Sequence, residues 1–219
     1  MPTISLTAAD GHRLTAYRAG PQNAARALVV VQEIFGVNRH IRNVCERFAA
    51  EGYAVIAPAL FDRVGPGIEL GYEAADVAQG RELRGKIPDG LTLLDVLAAA
   101  AALPRGAKRG IVGYCWGGTV TWHGATRSSA FSAASGWYGG GIAAAKDETP
   151  RCPVQLHFGE QDASIPMTDV AAIRAAQPGV DLHVCGGGHG FGCDERGSYV
   201  EADYALAQKR TLEFFAKHL

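Results

Sequence analysis

Cys115 stands between two glycines in Gly113-Tyr114-Cys115-Trp116-Gly117, a spacing suited to a nucleophile on a sharp strand-to-helix turn. A residue on such a turn has strained dihedrals, and side chains two positions either side would collide, so small residues are needed at Gly113 and Gly117. The turn also aims a helix N-terminus at the sulfur. Its dipole and free N–H groups favour a thiolate or a developing oxyanion. A thiol near its free pKa is mostly protonated and needs a base within hydrogen-bond reach. His189, flanked by Gly187, Gly188 and Gly190, can be delivered close to the nucleophile by a flexible loop. Asp162, at the end of Gly159-Glu160-Gln161-Asp162, can fix the imidazole tautomer and stabilise its charged form. Each residue alone has a plainer reading. The cysteine could be a packed core residue, the aspartate a turn or helix cap, the histidine a satisfied core or surface group. Their joint order and loop context favour covalent acyl transfer.

These groups must be carried by strands and helices, and the pattern supplies them. Residues 3–7 and 12–19 read as two strands about Asp10-Gly11, and 27–31 is a continuous Val/Leu run suited to a buried central strand. That run ends in Gln32-Glu33-Ile34-Phe35-Gly36, and Ile41, Val44, Cys45 and Phe48 then recur at helical spacing within 38–51. A strand is expected at 53–57, a Gly- and Pro-rich loop at 62–71, a charged helix at 73–86 and an Ala/Leu helix from 89 to 103. Beyond the elbow come strands at 131–138, 154–158 and 180–185, helices at 165–176 and 199–218, and a loop at 186–190 holding His189. This alternation predicts an α/β fold with a mostly parallel sheet covered on both faces, in one domain across 1–219. In such a sheet the ligand crevice lies at the carboxyl ends of the strands. Glu33, Cys115, Asp162 and His189 each fall just past a predicted strand. The order nucleophile, acid, histidine is that of the α/β-hydrolases. Residues 139–151 are rich in Gly and Ala, with too few apolar anchors for a cap domain with its own core. A compact cleft bordered by Phe35, Trp116 and Tyr138 is expected.

Composition narrows the partners. With 47% hydrophobic and 20% charged residues and a net charge of −1, there is no electrostatic reason to expect nucleic acid or an anionic membrane. The most apolar helix, 91–103, is too short to span a bilayer and carries Asp95. The start, MPTISLTAADGHR, lacks a basic segment followed by an apolar core. Five cysteines at irregular spacing do not make a disulfide framework, so a reducing cytoplasm is the expected compartment. No cofactor and no metal is expected. The expected partner is a small ester or lactone, bound by a monomer or small homo-oligomer.

The chain resembles the dienelactone hydrolase family of α/β-hydrolases. The likeness rests on Gln32-Glu33-Ile34-Phe35-Gly36, Pro58-Ala59-Leu60-Phe61, Gly113-Tyr114-Cys115-Trp116-Gly117-Gly118, Trp137-Tyr138-Gly139, Gly159-Glu160-Gln161-Asp162 and Gly188-His189-Gly190-Phe191. It implies a triad of Cys115, His189 and Asp162. It further implies that Glu33 contacts the resting thiol and helps take its proton, and that the N–H groups of Ile34 and Trp116 form the oxyanion hole. One departure stands out. Family members acting on dienelactones hold the substrate carboxylate with arginines, one of them four residues after the catalytic histidine, where this chain has Cys193. Arg196, Arg81 and Arg84 are near in sequence but not in register. Arg81, with Phe35 and Tyr138, is taken as a candidate substrate contact, against the plainer reading of a solvated helix face.

Three rival readings use some of the same residues or motifs. His183, Cys185, His189 and Cys193 are possible zinc ligands, but their spacing matches no compact zinc motif and would consume the best general base. No G-x-G-x-x-G follows the early strand, which argues against a dinucleotide site. A non-catalytic, redox-sensing role for Cys115 would use the same reactive thiol.

Overall fold

The computed structural model describes residues 2–219. They pack as two compact units that divide after residue 111.

In the first unit, Thr3–Thr7 (β1) and Arg13–Ala19 (β2) pair antiparallel, with Thr3 opposite Tyr17 and Thr7 opposite Arg13. Gly11, at φ 84°, makes the left-handed turn between them. The Val/Leu run becomes Arg26–Val31 (β3), in which Ala27 to Val31 are 0% exposed. A strand without an outward polar face must be covered on both sides, and each such aliphatic contributes about 1.5–3 kcal/mol by burial. Ala54–Pro58 (β4) runs parallel to β3, with Ala27 opposite Ala54, and antiparallel to β2, with Ala16 opposite Pro58. Between them Arg39–Ala50 (α1) starts where the Asn38 side chain accepts from the Ile41 N–H, and it buries Ile41, Val44, Cys45 and Phe48. Ala74–Gly85 (α2) opens on a capping box of Glu73 and Asp76. In Asp89–Ala101 (α3), the buried Asp95 takes two bonds from Arg63, at 2.7 Å each, anchoring the turn that follows β4.

Lys108–Tyr114 (β5) carries the chain from the first unit into the second. The second unit then holds Trp116–Arg127 (α4), Ala133–Trp137 (β6), Val154–Gly159 (β7), Met167–Ala176 (α5), Asp181–Cys185 (β8) and Glu201–His218 (α6). β6, β7 and β8 pair parallel in that order, Ser135 lying opposite Gln155 and His157 opposite His183. Strand order in the eight-stranded sheet is β1-β2-β4-β3-β5-β6-β7-β8, a mostly parallel α/β arrangement. Glycine within α4 costs helix stability, yet a Cβ at Gly118 would lie 2.5 Å from the Trp137 carbonyl oxygen. Only glycine lets this helix sit so close to β6.

Two helices start two residues later than the sequence pattern suggests. α5 begins after Pro166 rather than at 165, and α6 begins at Glu201 rather than at 199. For α6 the reason is the extended backbone of Val200, at φ −126° and ψ 103°, whose N–H is bonded to the Phe191 carbonyl. Between β6 and β7 the only helical element among the described residues is a short 3-10 turn, Ala143–Ala145. It is held down by the Trp122 indole N–H on the Ala145 carbonyl at 2.9 Å, so no cap domain is inserted here. No described helix is long and apolar enough to cross a membrane.

Candidate active site

The elbow forms as its spacing requires. Cys115 adopts φ 56° and ψ −116°, a left-handed conformation that costs a non-glycine residue about 1–3 kcal/mol. A Cβ at Gly113 would lie 2.1 Å from the Gly117 carbonyl oxygen, so a larger residue there would open the turn. The strained backbone is fastened by the Cys115 N–H on the Trp137 carbonyl at 3.0 Å and by the Gly118 N–H on the Cys115 carbonyl at 3.0 Å. Trp116 is the first residue of α4, where N–H groups lack intrahelical acceptors.

His189 and Asp162 meet beside it. His189 Nδ1 is 2.7 Å from Asp162 Oδ2, and the other Asp162 oxygen accepts the Ser164 N–H at 2.8 Å. The Asp162 side chain is 0% exposed. His189 is also hydrogen-bonded to Cys115. Burial alone would pull the imidazole down, but the bonds to Asp162 and Cys115, and then their charges, raise it to about 10. Its proton is therefore retained at neutral pH. The Tyr138 ring stands edge-on to the His189 ring at 5.3 Å and shares that packing with Phe191. Tyr138 holds the second strained non-glycine backbone among the described residues, at φ 39°, and its N–H donates to the His157 carbonyl at 2.7 Å.

The histidine loop is held by Asp203 and Ser198, which motif reading did not single out, and by Arg196. The Asp203 carboxylate, in the first turn of α6, accepts the Gly187 N–H at 2.7 Å. The Ser198 hydroxyl donates to the His189 carbonyl at 2.8 Å. The Arg196 guanidinium fills the space over Gly190, where a Cβ would lie 2.5 Å from one of its nitrogens. In sequence Asp203 looks like an acid complementing a helix dipole, and nothing marks its reach back across sixteen residues.

The second unit thus brings Cys115, Trp116, Tyr138, Asp162 and His189 together. The other candidates belong to the first unit. Glu33 follows β3, is 0% exposed, and lies 3.5 Å from the Tyr72 hydroxyl. Ile34 follows it, and its carbonyl oxygen would lie 2.2 Å from a Cβ at Gly80, fixing α2 against this loop. Phe35 is buried, with its ring 4.6 Å from that of Tyr72. Arg81 is exposed on α2. Cys193 is wholly buried. Of the zinc candidates, His183 is paired with Asp181 at 3.0 Å and His189 with Asp162.

The model of the dienelactone hydrolase family matches residues 14–219. The chain belongs to the dienelactone hydrolase family. A Synechocystis sp. protein provisionally named carboxymethylenebutenolidase is 35% identical over 212 residues, 88% of this chain and 86% of its own. The carboxymethylenebutenolidase of Pseudomonas putida is 32% identical over 232 residues, 97% of this chain and 95% of its own. The crystal structure of a Klebsiella pneumoniae protein provisionally named a dienelactone hydrolase superposes with a TM-score of 0.82 at 34% identity, covering 98% of this chain and 99% of that one. This dienelactone hydrolase family member is a hydrolase of the ester- or lactone-cleaving kind, and its fold is that of the α/β-hydrolases.

Proposed function

We propose that the protein hydrolyses a small ester or lactone through an acyl-Cys115 intermediate, with Cys115, His189 and Asp162 as a triad. The observation that carries this reading is the His189 imidazole, bonded on one side to Asp162 at 2.7 Å and on the other to a strained elbow cysteine.

The attacking species is a Cys115 thiolate paired with the His189 imidazolium, and its sulfur adds to the acyl carbon. The carbonyl electrons move onto oxygen, and the N–H groups of Trp116 and Ile34 stabilise that charge. As the tetrahedral species collapses, the acyl–oxygen bond breaks and His189 gives its proton to the departing alkoxide. The neutral imidazole then takes a proton from water, which attacks the thioester. Collapse expels the thiolate, releases the acid and restores the imidazolium. Asp162 stabilises that imidazolium throughout. On the strength of the family resemblance, Glu33 contacts the resting thiol and helps take its proton when substrate arrives, forming that thiolate, and Phe35, Tyr138 and Arg81 are the proposed substrate contacts. The uncapped topology suits small acyl groups.

Cys115→Ala tests the assignment. We expect a loss of roughly 10³-fold or more in kcat for small esters, with unchanged folding by circular dichroism. Burst release from an activated ester, with one equivalent of acyl group on Cys115 by mass spectrometry, is expected of the wild type. Wild-type turnover in Cys115→Ala, or a thiol that oxidises but never acylates, favours the redox-sensing alternative.

A further inference from the structure

The nucleophile elbow and the histidine loop both meet one residue that the triad does not include. Trp137 ends β6 and is 0% exposed. Its carbonyl accepts the N–H of the strained Cys115 at 3.0 Å. Its ring stacks on that of Phe191, two residues beyond His189, at 5.7 Å and 25°. A Cβ at Gly192 would lie 2.8 Å from the same ring, so the indole presses on the backbone of the histidine loop.

We propose that Trp137 is a positioning residue that ties nucleophile to base, and that Thr211 on α6 fixes its ring. This rests on the reading of Cys115, His189 and Asp162 as the triad. A buried indole N–H needs an acceptor, and here it donates to the Thr211 hydroxyl at 3.3 Å. That hydroxyl is itself held in direction. Gln155 Nε2 donates to Asp181 at 2.8 Å, which leaves Gln155 Oε1 to accept from His157 Nε2 at 3.0 Å and from the Thr211 O–H at 3.2 Å. With its proton committed to Gln155, the Thr211 oxygen turns its lone pairs toward the indole and toward Ser135 Oγ at 3.3 Å.

Thr211, Ser135 and His157 are 0% exposed and Gln155 is 2% exposed, so bulk water does not replace a bond lost here. A ring packed by shape alone can tilt in its socket. A directional bond from a fixed acceptor selects one orientation, and with it the position of the loop at Phe191 and Gly192. The hydroxyl of α6 thus acts on His189 through Trp137, without touching substrate.

The test compares Thr211→Val, which keeps the volume and loses the hydroxyl, with Thr211→Ser, which keeps the hydroxyl. Steady-state kinetics with p-nitrophenyl acetate and melting curves are measured for both. We expect Thr211→Val to lower kcat about tenfold with little change in KM, the effect of one buried donor left unpaired. Thr211→Ser should restore most of the rate. Ser135→Ala loses a bond to the same hydroxyl but leaves the indole its acceptor, so its kcat should stay near wild type even where its melting temperature falls. Thr211→Val placed in a Trp137→Phe background should cost nothing further, because the N–H is already gone. The proposal is overturned if Thr211→Val keeps wild-type kcat, if serine fails to rescue, or if Ser135→Ala loses as much rate. It is overturned equally if the tenfold loss persists in Trp137→Phe. Cys115→Ala in the same assay separates the two readings: wild-type turnover there removes the triad and this proposal with it, whereas its loss beside wild-type turnover in Thr211→Val overturns the positioning role alone.

Discussion

Gly159 and Gly187 pass so closely that a Cβ on Gly159 would lie 2.3 Å from the Gly187 carbonyl oxygen. That approach brings the loop bearing Asp162 against the loop bearing His189. The Glu160 and Gln161 N–H groups then reach the carbonyls of Cys185 and Gly187 at 2.7 Å and 3.1 Å. The acid–base pair therefore depends on the absence of one methyl group.

Gly159→Ala is expected to push the two loops apart. Misplacing a catalytic group by about 1 Å costs on the order of 10²-fold, so kcat should fall by roughly that factor while the protein still folds. Steady-state kinetics and a melting curve check this. Wild-type kcat in a folded variant would show that the loop contact is dispensable.

Asp162→Asn removes the carboxylate that holds the His189 proton. In the wild type the imidazolium is lost only as pH rises through about 10, so the alkaline limb of kcat/KM should lie there. In the variant both the ring titration and that limb should move to lower pH, with kcat reduced by roughly 10²-fold or more. Proton resonances of His189 and a pH–rate profile are the measurements. An unmoved titration would mean that Asp162 does not set the histidine's charge.

His157 should make the protein acid-sensitive. Its folded pKa, about 3, lies below the ordinary value of 6.5, so the unfolded chain takes up a proton that the native state refuses. Stability from this group is complete above pH 6.5 and falls by about 1.4 kcal/mol per pH unit between 6.5 and 3. His157→Gln should be less stable at pH 7, because His157 Nε2 lies 3.0 Å from Gln155 Oε1, yet should lose less on acidification. Urea titrations at pH 7, 5 and 4 compare the two slopes.

Asp203→Ala should lower kcat roughly tenfold to a hundredfold with little change in KM, since a bond to a charged acceptor is worth about 1.5–3 kcal/mol. Asp203→Asn retains a carbonyl acceptor for the Gly187 N–H and should restore most of the rate. Adding Ser198→Ala to Asp203→Ala should cost less than the product of the single losses, because both hold one loop. Failure of asparagine to rescue would make Asp203 a general stability residue rather than a positioning one.

Much of this was written locally. The Val/Leu run of β3, the helical spacing of Ile41, Val44, Cys45 and Phe48, and the Gly113–Gly117 bracket around Cys115 act within a few residues of themselves. Local pattern therefore predicted the strands, the helices and the left-handed elbow that the structure shows. It also ordered Cys115, Asp162 and His189 along the chain. What it could not contain is distance between segments remote in sequence. The 2.7 Å approach of His189 to Asp162, the return of Asp203 to Gly187, and the strain at Tyr138 exist only once parallel strands align in register. The late start of α6 has the same origin, because Val200 is extended and its N–H is bonded to the Phe191 carbonyl. Hydrophobic periodicity chooses elements and loop glycines permit close approach, but a hydrogen bond a few ångströms long is fixed only by packing.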